Sequence, residues 1–152
     1  MNLQQIHGQR DLQLLLLKEK DLSGEEWNKQ NKKIVKQTEK KTGRNHRRFV
    51  SDLRKELNNE QIEKVKDGLT YGVLPKTYSG YQDMLPELTA KQKAEILKWL
   101  KEAREHAMDG GTSEEKHAWF GKYKGRINNY LSSEGYDLKK AGEEWEKRIR
   151  EK

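Results

Sequence analysis

The chain has 152 residues, no cysteine, 38% charged residues and a formal net charge of +7. Without cysteine there are no disulfides, no thiol nucleophile and no Cys-based zinc site. Leu, Ile, Val and Phe together number 29 of 152 residues, a low apolar content that points to a thin helical core.

Charge is unevenly spread. Residues 1–56 carry 14 Lys/Arg against 8 Asp/Glu, and residues 28–48 hold nine basic residues with Glu39 as the one acid. Such a stretch attracts nucleic acid, acidic polysaccharide or anionic lipid. It also suits a solvated helix face, since lysine outnumbers arginine and no aromatic residue interleaves. The apolar run Leu14–Leu17 is too short for a signal-peptide core and sits between charges. No apolar stretch is long enough to span a bilayer, so a soluble protein is expected. If the protein is exported, this chain is a mature form.

In chain order, residues 3–20 read as a first helix. Ser23, with Glu26 three residues on, opens a second helix, expected to run to about Lys41 and to break at Thr42-Gly43. A third covers about Asn45 to Glu56. Asn58 and Gln61 form another start signal, repeated at Thr89 and Gln92. Between them, residues 68–87 are rich in Gly, Tyr and Pro and read as a long ordered loop, a type of segment that is often functional. From Thr89, Ile96, Leu100, Ala103 and Ala107 make an apolar stripe with helical spacing. Gly110-Gly111 ends that helix, and Thr112 or Ser113 caps the next. There Phe120, Tyr123, Ile127 and Leu131 recur at helical spacing until Gly135. A last amphipathic helix starts near Asp137. The expected fold is therefore all-α: an antiparallel helical bundle with a Tyr/Gly/Pro-rich central loop. Residues 1–56 form a basic N-terminal segment and 57–152 the core, together one structural domain.

Catalytic signatures are missing. The four histidines form no HExxH pair, and Glu114-x-x-His117 is only half of a di-metal carboxylate motif. There is no Gly-x-Ser-x-Gly elbow and no phosphate-binding glycine loop. No catalytic residue, metal site or cofactor is expected.

The densest segment is Gly110 to Tyr130. Gly121 and Gly125 each cost their helix roughly 1 kcal/mol relative to alanine, so a close helix or a ligand approaching the backbone should offset them. His106 and Asp109 share a helix face, and the Gly110-Gly111 turn brings the Ser113 helix start beside them. Glu114 and His117 lie within a turn of that start, with Lys122, Lys124, Arg126 and Asn128 beyond. A helix N-terminus favours an anionic or hydroxyl-rich ligand. Asp67 and Tyr71 leave the preceding helix through Gly68 and could cover the same spot. Tyr71, Tyr78 and Tyr81 offer the flat faces and hydrogen bonds that a sugar or peptide site uses. The candidate ligand set is thus Asp67, Tyr71, Tyr78, His106, Asp109, Glu114, His117, Lys122, Lys124, Arg126 and Asn128. A capping network would account for the same residues without any ligand.

Several blocks resemble a known family. They are Lys64–Val73, Met84–Thr89, Glu102–Asp109, Ser113–His117 and Phe120–Leu131, with a weaker match at Ile6–Asp11. In this order they resemble the bacterial family designated domain of unknown function 3826, over about residues 57–145. The resemblance implies secreted or periplasmic helical proteins of polysaccharide-degrading bacteria, some labelled sugar-binding. It also implies a signal peptide and a longer upstream helical portion, which this chain does not show. The Leu57–Gln61 and Leu88–Gln92 helix starts are similar to a repeated motif of small, basic periplasmic chaperones. Three functions are therefore weighed: a non-enzymatic exported carbohydrate binder, a holdase-type chaperone for unfolded clients, and a nucleic-acid-binding protein.

Overall fold

A computed structural model describes residues 2–152 and is all-α among them. Its helices are α1 (Leu3–Lys18), α2 (Gly24–Glu56), α3 (Asn59–Leu69), α4 (Val73–Met84), α5 (Ala90–Met108), α6 (Ser113–Ser133) and α7 (Leu138–Arg150). None of them is long and apolar enough to cross a membrane. The chain divides into two compact units, Met1–Ile62 and Glu63–Lys152.

The helix starts follow the side chains at their ends. Thr89 Oγ1 accepts the Gln92 N–H, and the Gln92 side chain accepts the Thr89 N–H, so two orphan donors of α5 are satisfied reciprocally. Asn58 and Gln61 do the same at α3, and Asn2 and Gln5 at α1. Ser23 caps α2 through the Glu26 N–H, Thr112 caps α6, and Asp137 caps α7.

In the first unit, α1 packs on α2. Ile6, Leu17, Val50 and Thr38 are buried there, and Lys41 Nζ donates to Gln9 at 3.2 Å. The break expected at Thr42-Gly43 does not occur: α2 runs unbroken to Glu56. Glycine costs an α-helix only about 1 kcal/mol, and without a proline the flanking helix formers carry the helix through. Thr42 turns its hydroxyl back to the Glu39 carbonyl and leaves the backbone ladder intact.

In the second unit, α5 and α6 form the core pair, with α4 and α7 packed around them. Ile96, Leu100, Ala103, Ala107, Ile127 and Leu131 are fully buried between them. The long loop expected over residues 68–87 is a correction: residues 73–84 are the helix α4. Pro75 is its third residue, within the first turn, where a backbone N–H has no helical partner to lose. Leu74 and Tyr81 bury the inner face, and Leu85 closes it. Trp145 of α7 donates its indole N–H to Asp83, and Arg148 donates to the Asp83 carbonyl at 2.9 Å. Tyr136 ties the α6–α7 link to the start of α5 by donating to Gln92 at 2.9 Å.

One buried ion cluster joins α3 to α5. Arg104 is 2% exposed and donates to Asp67 at 2.8 Å and to Glu63. Burial opposes its charge, but the hydrogen bonds and charges of Asp67 and Glu63 more than compensate and hold it cationic. Lys66 pairs with Glu105 beside it.

Candidate functional site

Two short connections build the site. The first leaves α3. Thr70 is fully buried and donates its hydroxyl to the Lys66 carbonyl at 2.8 Å. Tyr71 and Gly72 then take left-handed backbone, with φ of 59 and 65 degrees. Glycine accepts that geometry freely, whereas tyrosine does so at a cost of about 1–2 kcal/mol. The Gly72 N–H closes the turn onto the Asp67 carbonyl at 2.8 Å.

The second connection joins α5 to α6. A side chain at Gly110 would meet Lys116 Cγ at 2.9 Å and the Ala107 carbonyl at 3.2 Å, so only glycine lets the chain reverse here. Gly111 donates its N–H to the Glu115 carboxylate at 2.8 Å, and the Glu115 N–H goes to Thr112. The protein's own side chains thus serve these donors at the start of α6. Glu114 and Glu115 supply negative charge at the helix N-terminus, as an anion would.

The two connections meet through Lys116 and His117. Lys116 Nζ donates to the Leu69 carbonyl at 3.0 Å, placing a cation at the C-terminus of α3. The same ammonium lies 5.7 Å from the Tyr71 ring centre. Tyr71 stacks on His117, with ring centres 5.3 Å apart and planes 16° from parallel. Tyr71 nevertheless remains 49% exposed, more than any other Tyr, Phe or Trp among the described residues.

His106 goes elsewhere. It stacks on Trp119 at 4.3 Å and lies 6.2 Å from Tyr123. Lys122 sits over the Trp119 ring and Arg126 over Tyr123, so cations already occupy these ring faces. Trp99 meets Tyr130 edge-on further along. His117 and Trp119 are two residues apart and so point to nearly opposite flanks of α6. The sequence-based set is therefore divided between two flanks. Tyr71 and His117 meet on one, and helical period places Lys124 and Asn128 on the same flank. His106, Lys122 and Arg126 belong to the other.

The remaining candidates have structural engagements. Asp67 is held by Arg104. Asp109 caps α5, Glu114 is exposed in the first turn of α6, and Tyr78 packs against the core. Asn128 accepts the Tyr81 hydroxyl at 2.7 Å, and burial pushes the Tyr81 pKa up to about 12. Lys116 and Arg104 were missed from sequence. Arg104 had a signal: a charged residue four after Leu100, inside the apolar stripe.

Between the flanks lies the outward face of α6, with Gly121 and Gly125. A side chain built at either would meet nothing within 4 Å. No helix packs there, so close helix packing does not explain these glycines. From Glu114 to Asn128 this face runs about 21 Å at helical rise.

Fold and site together define an all-α protein with an exposed tyrosine platform and an open, glycine-floored helix face. The chain matches the model of the family described as protein of unknown function DUF3826 over residues 1–151, and it belongs to that family. The relation thus takes in α1 and α2 as well as the blocks between residues 57 and 145. No curated protein matches the chain.

Proposed function

We propose that the protein is a non-enzymatic, exported carbohydrate-binding protein that works in polysaccharide utilisation. Its contact surface is Tyr71 with the adjoining face of α6. The observation that carries this reading is the Tyr71 turn. A half-exposed ring is fixed in costly left-handed backbone, backed by His117 and locked by Lys116. A rigid aromatic face that loses no further freedom on binding suits the apolar face of a sugar ring. His117, Lys124 and Asn128 supply hydrogen-bonding groups along one edge, and Gly121 and Gly125 leave room for a ligand to approach the backbone.

Calorimetry against a panel of neutral oligosaccharides tests this. One glycan class should bind saturably and with little salt dependence. Tyr71→Ala and His117→Ala should each abolish binding with the melting temperature nearly unchanged. If these variants bind as the parent does, or if the panel gives no ligand, the reading fails.

A second reading, a holdase for unfolded proteins, has one observation in its favour. Leu12, Leu15 and Leu16 of α1 are 57%, 56% and 50% exposed. Suppression of aggregation of a denatured client, lost on changing these three leucines to glutamine, would support it.

A further inference from the structure

The outer face of α2 carries a feature that the Tyr71 site does not use. Lys29, Lys33, Lys36, Lys40, Arg44, Arg47, Ser51 and Arg54 follow one another at intervals of three or four residues. At 100° per residue they fall within a strip about 80° wide, and all are exposed. The strip is about 38 Å long and contains no acid. Of the two acids between its ends, Asp52 lies on another face, and Glu39 flanks the strip, lining one hollow with Lys40, Gly43, Arg44 and Arg47. Beside Arg44 the strip has a notch: Gly43 lets the Arg47 guanidinium fold to within 3.4 Å of where a side chain would begin.

This arrangement works against the helix that carries it. Lys29–Lys33, Lys36–Lys40 and Lys40–Arg44 are like-charge pairs four apart, each costing about 0.2–0.5 kcal/mol. The unit has few buried apolar residues to offset that. A polyanion laid along the strip would turn repulsion into attraction.

We propose that the outer face of α2 binds a linear acidic polysaccharide, with carboxylates of successive sugars paired to successive cations. The strip is straight, and from Lys29 to Arg47 its cations recur every three or four residues, as charges do on an extended polymer with one charge per monomer. A recognition helix in duplex DNA instead uses a few residues near its N-terminus, because the groove curves away. Single-stranded nucleic acid needs aromatic rings for base stacking. The strip has none: Phe49 lies on the opposite side of α2, and Trp27 is half-buried.

The test measures binding of the full chain to fluorescently labelled polygalacturonate across a salt series, with duplex DNA and neutral dextran alongside. The parent should bind polygalacturonate with log affinity falling linearly against log salt, and should bind DNA at least tenfold more weakly. The triple variant Lys33→Glu, Lys40→Glu, Arg47→Glu should lose at least tenfold in affinity at low salt. Its salt slope should be smaller by about 3, one per contact removed. Its melting temperature should not fall, since the substitutions relieve repulsion. Tyr71→Ala should leave this binding unchanged, so this proposal and the Tyr71 reading fail separately. Absence of polygalacturonate binding at low salt, an unaffected triple variant, or DNA binding as tight as polygalacturonate binding would each overturn the proposal.

Discussion

The α5–α6 pair and the α1–α2 pair are built on different terms. In the former, Ile96, Leu100, Ala103, Ala107, Ile127 and Leu131 have no exposed surface at all. In the latter, α1 turns Leu12, Leu15 and Leu16 outward, and α2 commits its outer face to cations. One pair follows the ordinary rule of an apolar stripe turned inward. The other keeps apolar and charged surface exposed at a cost in stability, the usual mark of a surface kept for a partner.

Core truncation should separate the two pairs most strongly. Leu100→Ala should destabilise by about 3 kcal/mol, because a fully buried leucine leaves a cavity. Leu15→Ala should change stability by about 0.5 kcal/mol or less, since the side chain is already hydrated. Urea unfolding followed by circular dichroism measures both. A large loss for Leu15→Ala would show that α1 is packed in solution and would end the contrast.

Next comes the Arg104 cluster, where the effect should be asymmetric. Arg104 is 2% exposed, while the side chains of Asp67 and Glu63 are 28% and 44% exposed. Removing both carboxylates as Asp67→Asn with Glu63→Gln strands a buried cation and should cost about 3 kcal/mol. Arg104→Met should cost less, because the carboxylates can be hydrated where they stand. Equal losses would mean that the cluster contributes through packing and not through charge.

Gly121→Ala and Gly125→Ala should each stabilise α6 by about 1 kcal/mol, since the new side chains meet nothing. If these glycines admit a ligand, the stabilised variants should also bind the carbohydrate more weakly. A gain in stability with binding intact would remove the glycine-floored face from the proposed site and leave Tyr71 alone.

Where the sequence was legible, the physics was local. The capping boxes at Asn58 and Thr89 involve side chains three residues apart and form as expected. The stripe from Ile96 to Ala107 required only helical period. The expectation failed where composition was weighed above period. Residues 68–87 look like a loop by their Gly, Tyr and Pro content, yet Leu74, Tyr78, Tyr81 and Leu85 already carry helical spacing. Pro75 sits where proline is harmless. The division of the candidate site was not legible. His106 and His117 both lie near one turn in sequence, but Trp119 draws His106 to one flank while the left-handed turn at Tyr71 draws its ring to His117 on the other. That choice depends on which helix lies beside which, and no local rule encodes it.

The smallest expected effect is also the most specific, and it uses the pH dependence of Tyr81. This side chain is 7% exposed and donates its hydroxyl to Asn128 at 2.7 Å. Burial pushes its pKa from 10.0 to about 12. Between those values the unfolded chain has released the proton and the folded chain still holds it. The unfolded state therefore binds fewer protons, and stability must fall as pH rises through this window; below pH 10 the contribution is fully present. Tyr81→Phe removes the titrating group and one hydrogen bond, worth about 1 kcal/mol at neutral pH. The stability gap between parent and variant should narrow as pH climbs from 10 towards 12. A gap that stays constant over that range would mean that Tyr81 titrates normally and its site is wet.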